Sequence, residues 1–449
     1  MKRKPVRRNT TRTTAPCRSP LLLYADEKGR ILEHPRLEAT GADAGRWCRP
    51  SVADWIPLPE GSEVFRLPMR LPVGFDRRKK RFEVLSRDPY DPRRSVNAVA
   101  AFVAPAHTQL HSAAYQTLPG APVLPLFAYT AVGWMDGGFV TTALRVDPDR
   151  RQDFTTFDLE AVQENARRRL AGESHNRLIP HLAKCALTYA CPAARNLFLN
   201  RWEAPLPTSP ACNARCLGCI SLQETGEIPA SQERIRFVPT PEEIAAVAVP
   251  HLKTAPRAVV SFGQGCEGEP LLQGDTLREA VRIMRRETGR GTINCNTNGS
   301  LPDVVSRLVG AGLDSIRVSI NSCRPRYYNA YYNPRGYRFD DLKRSIQAVK
   351  AAGGFASLNY FVLPGFSDEA SEAAALFDFV RETGVDLIQM RNFNIDPEWL
   401  LEAIGHRREG KVIGVRRLMQ RLQDEFPGLR LGYFNPCLDP DAGSILTHP

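Results

Sequence analysis

The stretch Ser209-Pro210-Ala211-Cys212-Asn213-Ala214-Arg215-Cys216-Leu217-Gly218-Cys219 carries three cysteines at the spacing C-x3-C-x2-C. Three thiolates on one short loop can ligate three corners of an iron–sulfur cube, although a 4Fe–4S cluster usually takes four Cys ligands. The remaining iron is then open to a small molecule, which indicates reactivity rather than electron storage. Eleven cysteines placed at random in 449 residues would give this triplet less than about one time in a hundred.

The alternatives for this triplet are a structural zinc site and free buried thiols. Zinc knuckles usually pair one C-x2-C half-site with a second half-site downstream. The sequence contains no second pair at that spacing. The spacing therefore favours an iron–sulfur cluster over a zinc site.

Strand-like and helix-like patterns alternate in six units around and after this loop. Thr240, Pro241 and Glu243 form the pattern of a helix start, with a cap, a proline and an acid three residues after the cap. Six strand–helix units predict a parallel sheet with right-handed crossovers, which we expect to curve into a partial (β/α)6 barrel. The predicted strands lie near 196–202 and at 258–262, 292–297, 315–320, 356–363 and 385–390. The first predicted helix begins at 241, and a last helical stretch ends near 426. The predicted helices between them span 276–287, 304–310, 339–352 and 367–382.

Polar or glycine-rich segments recur at the C-terminal ends of these strands, where α/β barrels place their sites. Asn294, Asn296 and Asn298 share one face of an extended segment, although an Asn-Gly turn also explains Asn298. For the other segments, a flexible loop or ordinary core packing is the alternative to a ligand site. These segments are Gly263-Gln264-Gly265-Cys266-Glu267-Gly268-Glu269-Pro270, the trio Arg317, Ser319 and Asn321, the turn Leu363-Pro364-Gly365, and Gln389-Met390-Arg391-Asn392.

On these motifs, residues 195–436 resemble the radical S-adenosylmethionine (radical SAM) superfamily. The resemblance implies a 4Fe–4S cluster on Cys212, Cys216 and Cys219, whose open iron chelates the amino and carboxyl groups of SAM. One electron then splits the sulfonium and gives a 5′-deoxyadenosyl radical, while the protein orients the cofactors and excludes water. The implied SAM contacts are Gly268, Glu269 and Pro270 toward the amino group, Asn296, Asn298, Ser319 and Asn321 toward hydroxyls and carboxylate, and Met390 toward adenine.

The resemblance transfers the cofactor chemistry and leaves the substrate open. We expect an enzyme that abstracts hydrogen from a peptide or protein, a small molecule or a cofactor precursor, with an electron donor such as flavodoxin or ferredoxin. A non-catalytic iron–sulfur or zinc protein and an RNA-modifying enzyme are the alternatives. The polar strand ends favour an enzyme, because a structural metal needs no such site.

Composition predicts four segments besides the barrel. Residues 1–18 form a basic tail, and residues 19–150 form a β-rich N-terminal domain with strands at 21–24, 63–67 and 126–132. We expect this domain to dock the substrate or to cover the barrel. The other two are a helical connector at 151–194, with helices at 159–171 and 176–189, and a C-terminal tail at 437–449.

The charge and the hydropathy of the chain bound its partners and its compartment. The net charge is +11, but the tail at 1–18 carries +7 and leaves +4 for the rest, which disfavours a nucleic-acid surface. No apolar run approaches the length of a membrane span, and no apolar stretch of a signal peptide follows the basic start. We therefore expect a cytoplasmic protein with reduced thiols.

Cysteines outside the loop and a tyrosine-rich segment each have two interpretations. Cys185 and Cys191 could ligate an auxiliary iron–sulfur cluster together with Cys266, Cys323 or Cys437, or they could be buried packing residues. The segment at 323–337 contains five tyrosines and three arginines. It is predicted to be a short amphipathic helix that packs on the barrel, and the alternative is a site for an anionic or aromatic substrate.

Overall fold

The computed structural model describes residues 19–223, 226 and 228–439. The predicted tail at 1–18 and the end of the predicted C-terminal tail, 440–449, lie outside the described residues. A β-rich region comes first, as the composition predicted. Its strands are β1 (Leu21–Asp26), β2 (Ile31–Ala39), β3 (Gly41–Asp43), β4 (Arg46–Cys48), β5 (Trp55–Pro57), β6 (Glu63–Leu67), β7 (Arg70–Asp76), β8 (Arg81–Val84), β9 (Val96–Phe102), β10 (His107–Gln109), β11 (Ser112–Ala113), β12 (Tyr115–Thr117), β13 (Val132–Met135) and β14 (Gly138–Arg145).

These strands form an eleven-stranded antiparallel sheet and a smaller sheet in the order β11-β3-β4. The predicted strand at 63–67 is β6. The predicted strand at 126–132 is wrong, because only its last residue, Val132, begins a strand. Leu124 and Tyr129 of this region belong to an apolar core. Thr130 forms isolated antiparallel bridges to Ala101 and Ser112, so the apolar run marked burial and local pairing but not a regular strand.

Three helices lead from the β-rich region to the barrel, and they are α1 (Leu159–Gly172), α2 (Leu178–Leu187) and α3 (Pro192–Phe198). Both predicted helices are confirmed. The predicted strand near 196–202 is wrong, since this segment is the end of α3 and a tight turn. Asn200 and Trp202 have positive φ angles of 49° and 46° in that turn, which a strand does not allow.

The second half of the described chain is a seven-stranded parallel sheet in strict chain order. This order, with helices between the strands, confirms the partial barrel. Five of the six predicted strands are present, and the two short strands at the edges of the sheet were not predicted. The strands are β15 (Glu203–Pro205), β16 (Val259–Phe262), β17 (Thr292–Thr297), β18 (Ser315–Ile320), β19 (Phe355–Val362), β20 (Leu387–Asn392) and β21 (Arg430–Gly432).

Eight helices pack against this sheet or connect its strands. The predicted start at Thr240 is confirmed, because its hydroxyl accepts from the Glu243 N–H at 3.2 Å while the Glu243 carboxylate accepts from the Thr240 N–H at 2.8 Å. Among the described residues, no helix combines the length and the apolar character that a membrane span needs. The helices are α4 (Pro241–Thr254), α5 (Gly274–Glu287), α6 (Pro302–Ala311), α7 (Pro325–Tyr332), α8 (Phe339–Ala351), α9 (Ala370–Thr383), α10 (Pro397–Ala403) and α11 (Val415–Glu425).

The β-rich region lies over the C-terminal ends of β19 and β20. The Gln109 side chain donates to the Val362 carbonyl at 3.1 Å, and the Gln109 N–H donates to the Asn392 side chain at 2.8 Å. A buried ion pair joins Arg70 to Asp396 at 3.1 Å. The β-rich region therefore covers part of the barrel end where the cysteine loop lies.

Candidate active site

The cysteine loop, 206–223, follows β15 and is held by the glycine-rich loop, 263–270, which follows β16. The Gly268 N–H donates to the Ser209 carbonyl at 2.7 Å, and the Glu269 N–H donates to the Ala211 carbonyl at 2.8 Å. A Cβ atom at Gly268 would lie 2.0 Å from the Ala211 oxygen. Glycine is therefore required at this position by the close approach of two protein loops.

Glu267, which the sequence analysis did not single out, ties the same two loops together. Its carboxylate is buried and accepts four backbone N–H groups. Burial raises the pKa of Glu267 to about 7, against the hydrogen bonds, which favour the charged form. The four donors are Thr208 at 2.8 Å, Ser209 at 2.9 Å, Gly263 at 2.6 Å and Gln264 at 3.1 Å.

All three loop cysteines are free and partly buried. Burial, with the nearby Glu269 carboxylate, raises the pKa of Cys212 to about 11, and burial raises the pKa of Cys216 well above its ordinary value. The Arg234 guanidinium donates to the Cys219 sulfur at 3.4 Å. Arg234, which the sequence analysis also missed, thus places a positive charge beside the cysteine loop.

The sulfur atoms of the three loop cysteines do not all lie within 4.8 Å of one another, so they are farther apart than the ligands of a single metal ion. Within the described ranges, two groups of Cys, His or acidic side chains bring their ligand atoms within 4.8 Å of one another, and neither contains a loop cysteine. This spread disfavours the mononuclear zinc alternative for the loop. The two compact groups are His181 with Cys185 and Cys266, and Asp43 with Cys48 and His111.

The tyrosine-rich helix α7 supports the cysteine loop from the other side. The Arg215 N–H donates to the Tyr332 carbonyl at 2.8 Å, and the Leu217 N–H donates to the Tyr331 carbonyl at 3.0 Å. All four tyrosines of α7 are buried, which confirms a packing helix and disfavours the alternative of a tyrosine-lined substrate site. They are Tyr327, Tyr328, Tyr331 and Tyr332.

The carboxylate of Glu269 is already engaged by protein donors. The Thr297 hydroxyl donates to it at 2.6 Å, and the N–H groups of Asn298 and Leu271 donate at 2.8 Å and 3.1 Å. Burial raises the pKa of Glu269 to about 7. Its neighbour Pro270 is buried and begins a short turn of 3-10 helix, so it shapes the loop rather than offering a polar group.

Asn298 connects the end of β17 to the cysteine loop. Its side-chain amide donates to the Asn213 side chain at 2.7 Å, and its side-chain oxygen accepts from the Ser300 N–H at 3.0 Å. The Asn213 amide in turn donates to the Ser300 hydroxyl at 2.9 Å. The amide of Asn298 therefore positions the loop between Cys212 and Cys216.

The interior of the barrel is lined by amides. The Asn296 side-chain oxygen accepts from Asn294 at 2.8 Å and from Asn435 at 3.1 Å. The Asn296 side-chain nitrogen is buried and has no hydrogen-bond partner. Because an unpaired buried donor is costly, this nitrogen is a candidate ligand contact.

Two guanidinium groups face the same interior from β18 and β20. Arg317 donates to the Gln389 side-chain oxygen at 3.3 Å, and its buried Nε has no hydrogen-bond partner. Burial and the positive charge of Arg391 lower the pKa of Arg317 to about 9. Arg391 lies over the Tyr433 ring, with its guanidinium carbon 4.3 Å from the ring centroid. This part of the barrel is thus suited to an anion.

Comparison with known proteins identifies the family. Residues 206–377, from just before the cysteine loop to helix α9, match the model of the Radical SAM superfamily. Residues 206–377 form a radical SAM domain. The match spans the cysteine loop, the glycine-rich loop and strands β16 to β19, which are the segments described above.

Two curated relatives share the name GTP 3′,8-cyclase. A GTP 3′,8-cyclase from Chlorobaculum tepidum is 27% identical over 49% of this chain and 60% of its own length. A GTP 3′,8-cyclase from Heliobacterium modesticaldum is 30% identical over 49% of this chain and 62% of its own length. The chain thus spans about 60% of the length of these relatives.

A solved structure of Streptococcus suis SuiB bound to precursor peptide SuiA is a more distant neighbour. It is 14% identical, covers 54% of this chain and 53% of that chain, and has a TM-score of 0.37. The fold assignment for this radical SAM protein rests on its own strand order and on the family match.

The donors in this radical SAM barrel suit the two cofactors of the family, a 4Fe–4S cluster and SAM. Three free thiols on one loop suit a cluster that has one open iron. The unpaired buried polar atoms of the interior include both donors and acceptors, and they suit a ligand such as SAM that has cationic and anionic groups. These atoms are Asn296 Nδ2, Arg317 Nε, Asn321 Oδ1 and Asn359 Oδ1.

The predicted residues in β18 and directly after it take different positions. The Ser319 hydroxyl accepts from the Asn359 amide at 3.1 Å, on the face that also carries Arg317. The Asn321 amide donates to the Tyr327 carbonyl at 3.3 Å, and so it holds the start of α7. Ser319 remains a predicted cofactor contact, and Asn321 has only its side-chain oxygen left for one.

The prediction that Met390 contacts adenine is not supported by its position. Side chains alternate along a strand, so Met390 lies on the opposite face of β20 from Gln389 and Arg391. Its side chain belongs to the apolar core of the barrel. Among these neighbours, Gln389 and Arg391 are the residues that face the polar interior.

The cysteines proposed for an auxiliary cluster are only partly brought together. Cys185 and Cys266 are adjacent, as described above, and the Cys191 N–H donates to the Cys185 carbonyl at 3.0 Å. Cys323 lies elsewhere, with its N–H bonded to Glu372, and the Cys437 thiol contacts the Ala258 carbonyl at 3.8 Å. Cys323 and Cys437 are therefore not placed to join Cys185.

Glu372 gives the barrel a testable pH dependence. Its buried carboxylate accepts from the Ser322 hydroxyl at 2.9 Å and the Cys323 N–H at 3.0 Å, just before α7. Burial raises the pKa of Glu372 from 4.5 to about 7. Between pH 4.5 and about 7, Glu372 therefore binds more protons in the folded state than in the unfolded state. The stability that Glu372 contributes falls as the pH rises through this range.

We expect Glu372→Gln to remove that dependence, because the amide does not titrate. Relative to the variant, the free energy of unfolding of the wild type should fall by about 2–3 kcal/mol between pH 4.5 and 8. Urea titrations across this range measure it. Glu160→Gln, at an exposed position of α1, is the control and should track the wild type. A pH-independent difference for Glu372→Gln would contradict the prediction.

Proposed function

We propose that this protein is a radical SAM enzyme that cleaves SAM reductively at a 4Fe–4S cluster held by Cys212, Cys216 and Cys219. A cluster held by these residues would supply the electron for reductive cleavage of SAM to methionine and a 5′-deoxyadenosyl radical, which would abstract a hydrogen atom from the substrate. The observation that carries the proposal is the fixation of the cysteine loop by the glycine-rich loop, α7 and Asn298. A loop held by three barrel segments presents its thiols in one defined arrangement.

The residues of the chain would bind and orient SAM and keep water away from it. Glu269 lies beside the cysteine loop, where its carboxylate is suited to a cationic group. The Asn296 amide lies in the barrel interior, where its nitrogen is suited to an anionic group. The covering β-rich region would limit water at the C-terminal ends of β19 and β20. An electron donor such as flavodoxin or ferredoxin would complete the system.

The test is anaerobic reconstitution of the full chain with iron and sulfide, followed by incubation with SAM and dithionite. We expect iron and sulfide for one cluster on each chain and formation of 5′-deoxyadenosine, measured by chromatography and mass spectrometry. A reconstituted chain that binds no cluster and forms no 5′-deoxyadenosine would refute the proposal. Cluster binding without cleavage would favour the non-catalytic iron–sulfur protein.

An anionic small molecule, with a purine nucleoside triphosphate as the first candidate, is the substrate class that we favour. Arg317 and Arg391 place two positive charges in the interior, and Arg317 keeps an unpaired buried donor. The relatives named GTP 3′,8-cyclase support the same class. Peptide and RNA substrates receive no comparable support from the interior residues.

Isotope transfer distinguishes these substrates. SAM cleavage is assayed in deuterated buffer with GTP, with ATP or with no added substrate. Two readouts are compared among these assays, the mass of the 5′-deoxyadenosine and the appearance of new nucleotide products. The proposed class predicts faster turnover and a new product with a triphosphate, and a loss of that stimulation in Arg391→Gln. Equal rates with and without nucleotides would overturn the substrate class while leaving SAM cleavage intact.

A further inference from the structure

A second group of metal-binding side chains lies between α2 and the glycine-rich loop. His181 and Cys185 are four residues apart, so both project from the same side of α2. The His181 Nε2 atom lies 3.7 Å from the Cys185 sulfur. Cys266 comes from the glycine-rich loop, and the ligand atoms of all three residues lie within 4.8 Å of one another.

The spacing of these atoms matches a single tetrahedral ion. Zinc binds Cys sulfur at about 2.3 Å and His nitrogen at about 2.0–2.1 Å, so two tetrahedral ligands lie about 3.6–3.8 Å apart. The distance between His181 and Cys185 falls in that range. The wider spread of the loop cysteines, which suits a cluster, does not occur here.

The environment of the group also suits a structural ion. Cys185 and Cys266 are buried, with exposed fractions of 2% and 4%, whereas His181 is only partly buried and gives access from solvent. Cys191 begins the next helix, and its N–H is bonded to the Cys185 carbonyl at 3.0 Å. This hydrogen bond holds the main chain of Cys191 beside Cys185, although the Cys191 thiol lies outside the group of ligand atoms within 4.8 Å of one another.

We infer that His181, Cys185 and Cys266 bind one zinc ion, for which Cys191 is the candidate fourth ligand. Two or three thiolates and one imidazole are the ligands of structural zinc sites. The ion would fix α2 to the glycine-rich loop directly before Glu267 and Gly268, which hold the cysteine loop. Its role is to position the active-site loops, and it takes no part in electron transfer to SAM.

The test uses the full chain with Cys212→Ser, Cys216→Ser and Cys219→Ser as its parent, so that the SAM-cleaving cluster cannot form. After dialysis against a weak chelator, we expect about one zinc ion for each parent chain, measured by mass spectrometry of the metals. Cobalt(II) exchanged into the parent should give the intense visible absorption of a tetrahedral site and a thiolate charge-transfer band.

His181→Gln and Cys185→Ser, each added to the parent, should lower zinc to below about a fifth of the parent value and remove the cobalt spectrum. His181→Gln changes a partly exposed side chain of α2, so circular dichroism should report an intact fold. Cys437→Ser, added in the same way, is the control and should retain the metal.

Three outcomes would overturn the inference. They are a parent that binds neither zinc nor tetrahedral cobalt, zinc that persists in both variants, and iron with sulfide instead of zinc. The last would establish an auxiliary iron–sulfur cluster. Because the parent lacks the loop cysteines, none of these results depends on SAM cleavage, and a failure of the proposed function would leave them unchanged.

Discussion

Replacement of Cys212, Cys216 and Cys219 together by serine should abolish both cluster assembly and 5′-deoxyadenosine formation. Serine hydroxyls stay protonated near neutral pH and are poor ligands for iron in a cluster, which is held by thiolates. Reconstituted iron and sulfide should fall to the level of an unreconstituted chain. The cleavage rate should drop by at least about 10³-fold, a loss of about 4 kcal/mol in transition-state stabilisation.

Cys437→Ser is the matched control for that experiment, since Cys437 is also a partly buried free thiol, and it contacts the Ala258 carbonyl directly before β16. It should retain the cluster and the cleavage rate of the wild type. Zinc should stay bound to both variants at the His181 site. If the triple variant still forms 5′-deoxyadenosine, or keeps its iron and sulfide, the assignment of the loop as the cluster site is wrong.

Gly268→Ala should impair the enzyme strongly, although Gly268 carries no functional group. The new Cβ atom would meet the backbone oxygen of Ala211 at 2.0 Å and the nitrogen of Cys212 at 3.2 Å. Backbone atoms cannot rotate away as a side chain can, so the cysteine loop must shift. We expect the cleavage rate to fall at least about tenfold, with lower iron retention, because small displacements at a reacting centre are costly.

Gly289→Ala provides the control, since a Cβ atom there meets nothing within 4 Å and the position is exposed. Iron content, the dissociation constant of SAM and the rate of 5′-deoxyadenosine formation should be measured for both variants. The structural account predicts that Gly289→Ala matches the wild type in all three. Wild-type cleavage by Gly268→Ala would show that the two loops do not need this close contact.

The sequence by itself determined the architecture of the barrel. Strand patterns predicted the bounds of β17 and β18 to the residue, and the Thr240 cap predicted the start of α4. These predictions were correct because each depends on residues that are neighbours in the chain, through strand alternation, helical spacing or a local hydrogen bond. The cysteine spacing is local in the same sense, and it located the candidate cluster loop.

The tertiary structure alone decided which polar groups are already occupied. Glu267 and Arg234 carried no local signal, yet they hold the cysteine loop and one of its thiols. Asn435 reaches Asn296 from 139 residues away. Met390, which its place at a strand end had suggested as a cofactor contact, turned out to be a core residue of the barrel.

The same holds for the group at His181, whose third member, Cys266, comes from a loop that is distant in the chain. The spacing of His181 and Cys185 on a helix is visible in the sequence, but it is also compatible with ordinary packing. Only the packing of α2 against the glycine-rich loop brings the three ligand atoms within 4.8 Å. Long-range contacts of this kind follow from how whole elements pack together, and no local pattern encodes the pairing.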